Sequence, residues 1–97
     1  MARFDAWLDG DGWLLEVQAD LLSDLNTRVV VPLMPAARAP RPASRLNPVL
    51  SVMGAPQVMV TQFLSAVPAS ILKGAPLPLL AQSDAITNAL DLLLTGV

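Results

Sequence analysis

The stretch "RFDAWLDGDGWLLEV", residues 3–17, decides the class of fold. Its first half alternates, with Phe4, Ala6 and Leu8 on one side and Arg3, Asp5 and Trp7 on the other. A period of two marks a strand with one buried face. Two Asp-Gly pairs follow, and such pairs supply the positive φ that tight hairpin turns need. Leu8 to Trp13 therefore reads as a β-hairpin connection, with "WLLEV" as the returning strand. The same acids invite a calcium-loop reading. That loop needs a third oxygen ligand where Trp13 stands and a glycine where Leu14 stands, so the turn reading prevails.

Working outward, "QADLLSDLNTR" is polar around an exposed-looking Leu21-Leu22 pair, and "VVVPL" is a β-branched run ending against a proline, suited to a buried strand. Pro35 to Arg45 is a basic, proline-rich loop. Arg38, Arg41 and Arg45 could meet a phosphate or an acidic partner, but Pro40 and Pro42 favour an extended, solvated run. "PVLSVM" and "QVMVTQFL" flank Gly54-Ala55-Pro56 as a second hairpin, and "SAVPASIL" reads as a strand kinked at Pro68, followed by the loop "KGAPLPLL". Only the end is helical in pattern. Ser83 or Asp84 can cap it, and Ile86, Ala89, Leu90, Leu93 and Leu94 recur at the spacing of one buried face. At about 100° per residue, Asn88, Asp91 and Thr95 point away from that face. The expectation is one domain over residues 1–97, mainly β, closed by a C-terminal helix.

Ninety-seven residues can build one core, near the size where burial is only modestly favourable and a partner subunit helps. Apolar residues make up 54% of the chain and charged residues 14%, so apolar surface is expected to face something other than water. A homodimer is the simplest way to cover it. Residues 46–72 carry no charge and are long enough to span a bilayer, but Pro48, Pro56, Pro68, Gly54 and several polar side chains interrupt them. Asp5 and Asp9 fall where a signal peptide would need its apolar centre. A cytoplasmic protein without a membrane segment is expected.

The chemistry is restricted by what is missing. There is no histidine and no cysteine, which removes the commonest bases, nucleophile pairs and zinc ligands. Lys73 is the only lysine, and no phosphate-cradling Gly-rich loop with a following Lys is present. Asp9, Asp11 and Glu16 could serve a carboxylate-based hydrolase, yet they surround a turn whose solvation accounts for them. Neither catalysis nor a cofactor is expected. A net charge of −2, with six of the eight acids in the first 24 residues, gives no general attraction to nucleic acid.

Five stretches in order, "VQADLL", "RVVVPL", "SRLNPVLSVMG", "VMVTQFLSAVPASIL" and "ITNALDLLLTGV", resemble the CcdB family over about four-fifths of the chain. CcdB proteins are the toxin half of a toxin–antitoxin module and poison DNA gyrase. The resemblance implies an SH3-like barrel, with a twisted antiparallel sheet, a small accessory sheet and a C-terminal helix, assembled as a homodimer. It implies binding to the gyrase A subunit while that enzyme holds cleaved DNA, and neutralisation by a cognate antitoxin. The family's gyrase-facing surface maps onto Phe4, Leu21, Leu22, Asp91, Leu94, Thr95, Gly96 and Val97. Well-studied members end in Trp-Gly-Ile, and their paired tryptophans sandwich an arginine of gyrase. Here Thr95 occupies the tryptophan position and Asp91 the position of an asparagine. A member with weak or no gyrase poisoning is therefore the alternative. Behind it stands an endoribonuclease like the MazF toxins, which share the barrel.

Overall fold

The structure, a computed structural model, describes residues 2–39 and 43–97. Strand β1 (Asp5–Asp9) pairs antiparallel with β2 (Gly12–Glu16), from Ala6 opposite Leu15 to Asp9 opposite Gly12. That register leaves Gly10-Asp11 as a two-residue turn. Gly10 has φ +62°, a conformation closed to most side chains, which is why glycine stands there.

The long strand β3 (Thr27–Pro35) runs along β2, with Glu16 opposite Val30 and Trp13 opposite Leu33. Its other edge is divided. β6 (Ser65–Pro68) covers Thr27 to Val30, and β5 (Ala55–Met59) covers Leu33 to Pro35. β5 returns from β4 (Val49–Val52) through Met53-Gly54, both at positive φ as a type I′ turn requires. The two residues β7 (Leu77–Pro78) close the opposite edge against Asp5 and Ala6. Among the described residues all seven strands are antiparallel, in the order β4-β5-β3-β2-β1-β7 with β6 beside β3. The result is a curled half-barrel carrying helix α1 (Ser83–Thr95).

Pro32 explains the division. The N and O of one strand residue face the same neighbour. The Pro32 carbonyl accepts from Val60 N–H, so its missing N–H also lies on that side, at the point where β3 changes partner.

The sheet buries both faces. Ala6, Leu15, Val31, Leu33, Leu50 and Met59 pack beneath Ile86, Ala89 and Leu90 of α1. Trp7, Val30 and Leu72 form a smaller cluster on the reverse. Trp7 is therefore buried rather than solvent-facing, and Leu8, expected inward, is exposed at the hairpin end. The stretch read as a plain loop, residues 73–80, contains β7.

The helix start also differs from expectation. Gln82, not Ser83 or Asp84, is the N-cap residue, and it makes no side-chain capping bond. Its amide instead donates to Ser51 O and accepts from Ser51 N–H, completing the outer edge of β4. Residues 36–39 turn back on Pro35 O rather than extending, and Arg41 lies outside the described residues.

Gly12 and Gly10 separate two costs. A Cβ at Gly12 would meet Leu33 O at 2.3 Å, whereas one at Gly10 would meet nothing. In urea unfolding, Gly12→Ala should lose about 2–3 kcal/mol by overpacking, and Gly10→Ala about 1–2 kcal/mol from left-handed backbone strain. Equal losses would contradict the register described.

Candidate functional site

Helix α1 presents Thr87, Leu90, Asp91 and Leu94 along one stripe, because residues three and four apart are neighbours on a helix. Opposite them runs the segment joining β2 to β3. Together with Arg3, Val17, Val29 and Leu64, these elements enclose an open cleft of about 470 Å³ with an apolar floor. Leu22 and Leu25 form its far wall, and Arg3 and Asp91 bring charge to its lining. No helix among the described residues is long and apolar enough to cross a membrane.

Three of the residues singled out in the sequence, Leu22, Asp91 and Leu94, meet in this cleft. Leu21 stands beside it, 93% exposed. Leu94, expected on the buried face, is 68% exposed, because the core ends at Leu90 and the last turn of α1 runs past the sheet. Thr95 is the last residue of α1, and it and the following Gly96 and Val97 are exposed. Gly96 adopts φ +79° and donates to the carbonyls of Asp91 and Leu92, while Thr95 Oγ1 donates to Asp91 O. That left-handed cap satisfies the last helical carbonyls and ends the helix there. Arg45 donates to the Val97 carbonyl and ties the tail to the loop before β4.

Phe4 does not share this surface. It is 4% exposed, packed in the main core and held at φ +71° between Glu16 O and Leu79 N–H. Arg3 lies over its ring at 4.6 Å from the centroid. Its contribution to the cleft therefore passes through Arg3, placed by a cation–π contact.

Behind the cleft wall, on the reverse of the sheet, sits a buried ion pair that alternation alone did not reveal. Glu16, Val30 and Arg28 point to one face because Glu16 opposes Val30 and alternate residues share a side. Glu16 Oε1 accepts from the Trp7 indole at 3.3 Å, and Oε2 lies 3.7 Å from Arg28 Nε. Burial pushes the Glu16 carboxyl above the ordinary carboxylate range, against the opposing pull of the indole bond and the Arg28 charge. The Arg28 fork donates to the carbonyls of Ser23, Leu25 and Thr27. Elsewhere, Arg38 pairs with Asp11 at 2.6 Å on the exposed turn, where such a pair contributes little. No group of three or more acids that could hold a metal ion occurs among the described residues.

The family model for the CcdB protein matches residues 7–96. The chain belongs to the CcdB family. No curated protein matches it. The CcdB match takes in the cleft walls contributed by the β2–β3 connection, β3 and α1, and it begins after Phe4 and ends before Val97.

Burial of Glu16 gives this CcdB chain a pH dependence. A carboxyl whose folded pKa is raised stabilises the fold fully below its ordinary value of 4.5 and loses that contribution as pH rises through the folded value. Wild type should therefore gain stability relative to Glu16→Gln as pH falls from 7 toward 4.5. At neutral pH, Glu16→Gln should lie within about 1 kcal/mol of wild type, whereas Glu16→Ala, which orphans the Trp7 N–H, should cost about 1–3 kcal/mol. Unfolding titrations at several pH values read both, and a wild-type loss on acidification would contradict the burial argument.

Proposed function

We propose that this protein is the toxin of a type II toxin–antitoxin pair. It binds the DNA gyrase A subunit as a homodimer, stabilises the cleaved gyrase–DNA complex, and is neutralised by a cognate antitoxin. The observation that carries this reading is the family match over residues 7–96. The exposed helix end supports it: Asp91, Leu94 and Thr95 stand clear of the core with Leu21 and Leu22 nearby in the chain's fold, a surface made for contact rather than for catalysis. A binder needs no chemistry of its own. Binding one state of an enzyme better than the others shifts its population toward that state. A disordered antitoxin segment with apolar anchors would suit the cleft and fold as it binds.

Thr95 favours a second reading, a CcdB protein with weak or redirected poisoning. An aromatic ring at an interface centre contributes stacking and cation–π energy that a threonine hydroxyl does not supply. Expression without antitoxin distinguishes the readings. Growth arrest with trapped gyrase–DNA cleavage complexes supports the proposal, whereas arrest with cut RNA favours a MazF-like nuclease. Absence of toxicity at verified soluble expression favours the weak-poison reading.

The exposed Thr95 side chain makes a single bond, to Asp91 O, so a larger residue fits without repacking. Thr95→Trp should bind a gyrase A fragment roughly tenfold more tightly, as one cation–π and stacking contact implies. Unchanged affinity in calorimetry would count against this orientation of the helix end.

A further inference from the structure

Residues 19–27 carry three leucines, Leu21, Leu22 and Leu25, yet every residue in the segment is exposed. Its 3-10 turn, Asp20–Leu22, buries nothing. Packing therefore does not hold it, and a short segment without packing frays into an ensemble. Its far end is fixed by backbone bonding, Ala69 N–H to Asn26 O at 2.8 Å and the pairing of Thr27 with β6; the rest is held by hydrogen bonds from polar side chains at its base. Arg28, 5% exposed at the start of β3, donates one Nη to Ser23 O and the other to Leu25 O and Thr27 O. Gln18, buried two residues past β2, donates its amide to Leu22 O at 3.0 Å and accepts from Val29 N–H at 3.1 Å. Asp20 accepts from Arg3 N–H at 2.7 Å, fixing the near end.

We propose that Arg28, with Gln18 as a second tether, is a positioning residue that pre-orders the Leu21-Leu22-Leu25 segment for its protein partner. Each Nη reaches a different carbonyl of the segment, and Glu16 behind Nε keeps the guanidinium buried in place. The planar fork is what the geometry uses, so lysine, with one nitrogen on a flexible stem, is not its equal. Ordering before contact removes a cost otherwise incurred during binding. The partner part of this inference rests on the gyrase reading above; the ordering part does not.

The test has two arms. In wild type, amide exchange at Leu22, Ser23 and Leu25, which donate to Ala19, Asp20 and Leu22 carbonyls, should be slowed at least tenfold relative to an unstructured chain although none of their side chains is buried. In Arg28→Lys that protection should fall at these three positions while β4 and β5 amides keep theirs. Exchange at unstructured rates in wild type, or a loss spread evenly over the whole sheet in the variant, overturns the proposal. The second arm measures binding to a gyrase A fragment for Arg28→Lys, Leu22→Ala and the pair. Arg28→Lys should weaken binding about tenfold, and Leu22→Ala should cost less in its background than in wild type, because a disordered segment no longer presents Leu22. Additive effects overturn the positioning role. If wild type itself does not bind the fragment, the gyrase reading fails while the exchange arm still decides the ordering.

Discussion

Strand β3 is the constraint on which the rest of the structure depends. It is the one strand paired with three others, β2 along one edge and β6 and β5 along the other. Pro32 makes that sharing necessary, since a residue without N–H cannot sustain a continuous second ladder. The break lets the sheet split into two directions and curl. One branch leads through β5 and β4 to Gln82, whose amide completes the β4 edge and sets where α1 begins. The other branch is β6, while the unbroken opposite edge leads through β2 and β1 to β7 at the start of the chain.

The same strand places polar groups where a small protein would be expected to avoid them. Arg28 and Glu16 lie on the reverse face beside Trp7, at positions where alternation points inward. A buried pair is weak evidence for stability, because desolvation offsets much of its attraction. Its raised carboxyl pKa shows desolvation prevailing here. The orientation of the guanidinium gives the pair a different use, as an anchor for the carbonyls of a segment that has no core. Rigid scaffold below and apolar side chains above is a common way for loops to carry binding function.

That arrangement suits a protein that acts by contact. Part of the apolar surface is gathered in one place: Leu22, Leu25, Leu64 and Leu94 line one cleft, with Arg3 and Asp91 in its lining. The helix end beyond them is capped by Gly96 and tied down by Arg45, so Thr95 is presented in a defined direction.

Much of the fold was legible from local pattern. The Asp-Gly turn, the hairpin around Gly54, the β-branched run of β3 and the helical spacing from Ile86 to Leu90 are properties of neighbouring residues, and φ preferences and periodicity report them directly. Leu22, Asp91 and Leu94 came from likeness to a family, and the sequence alone could not say that they share a cleft. Other features depend on residues distant in the chain. Trp7 is buried because β3 places Val30 next to it on the reverse face, Phe4 because α1 and Leu79 cover it, and the helix cap is Gln82 because β4 offers Ser51 to its amide. Inward parity at Gln18 and Arg28 was the one available signal for the tether, hidden because a polar residue in a strand pattern reads as solvent-facing. Local sequence thus determined which elements form. Only the tertiary structure decided which polar side chains hold them, because that depends on which backbone carbonyls and amides the folded sheet leaves within reach.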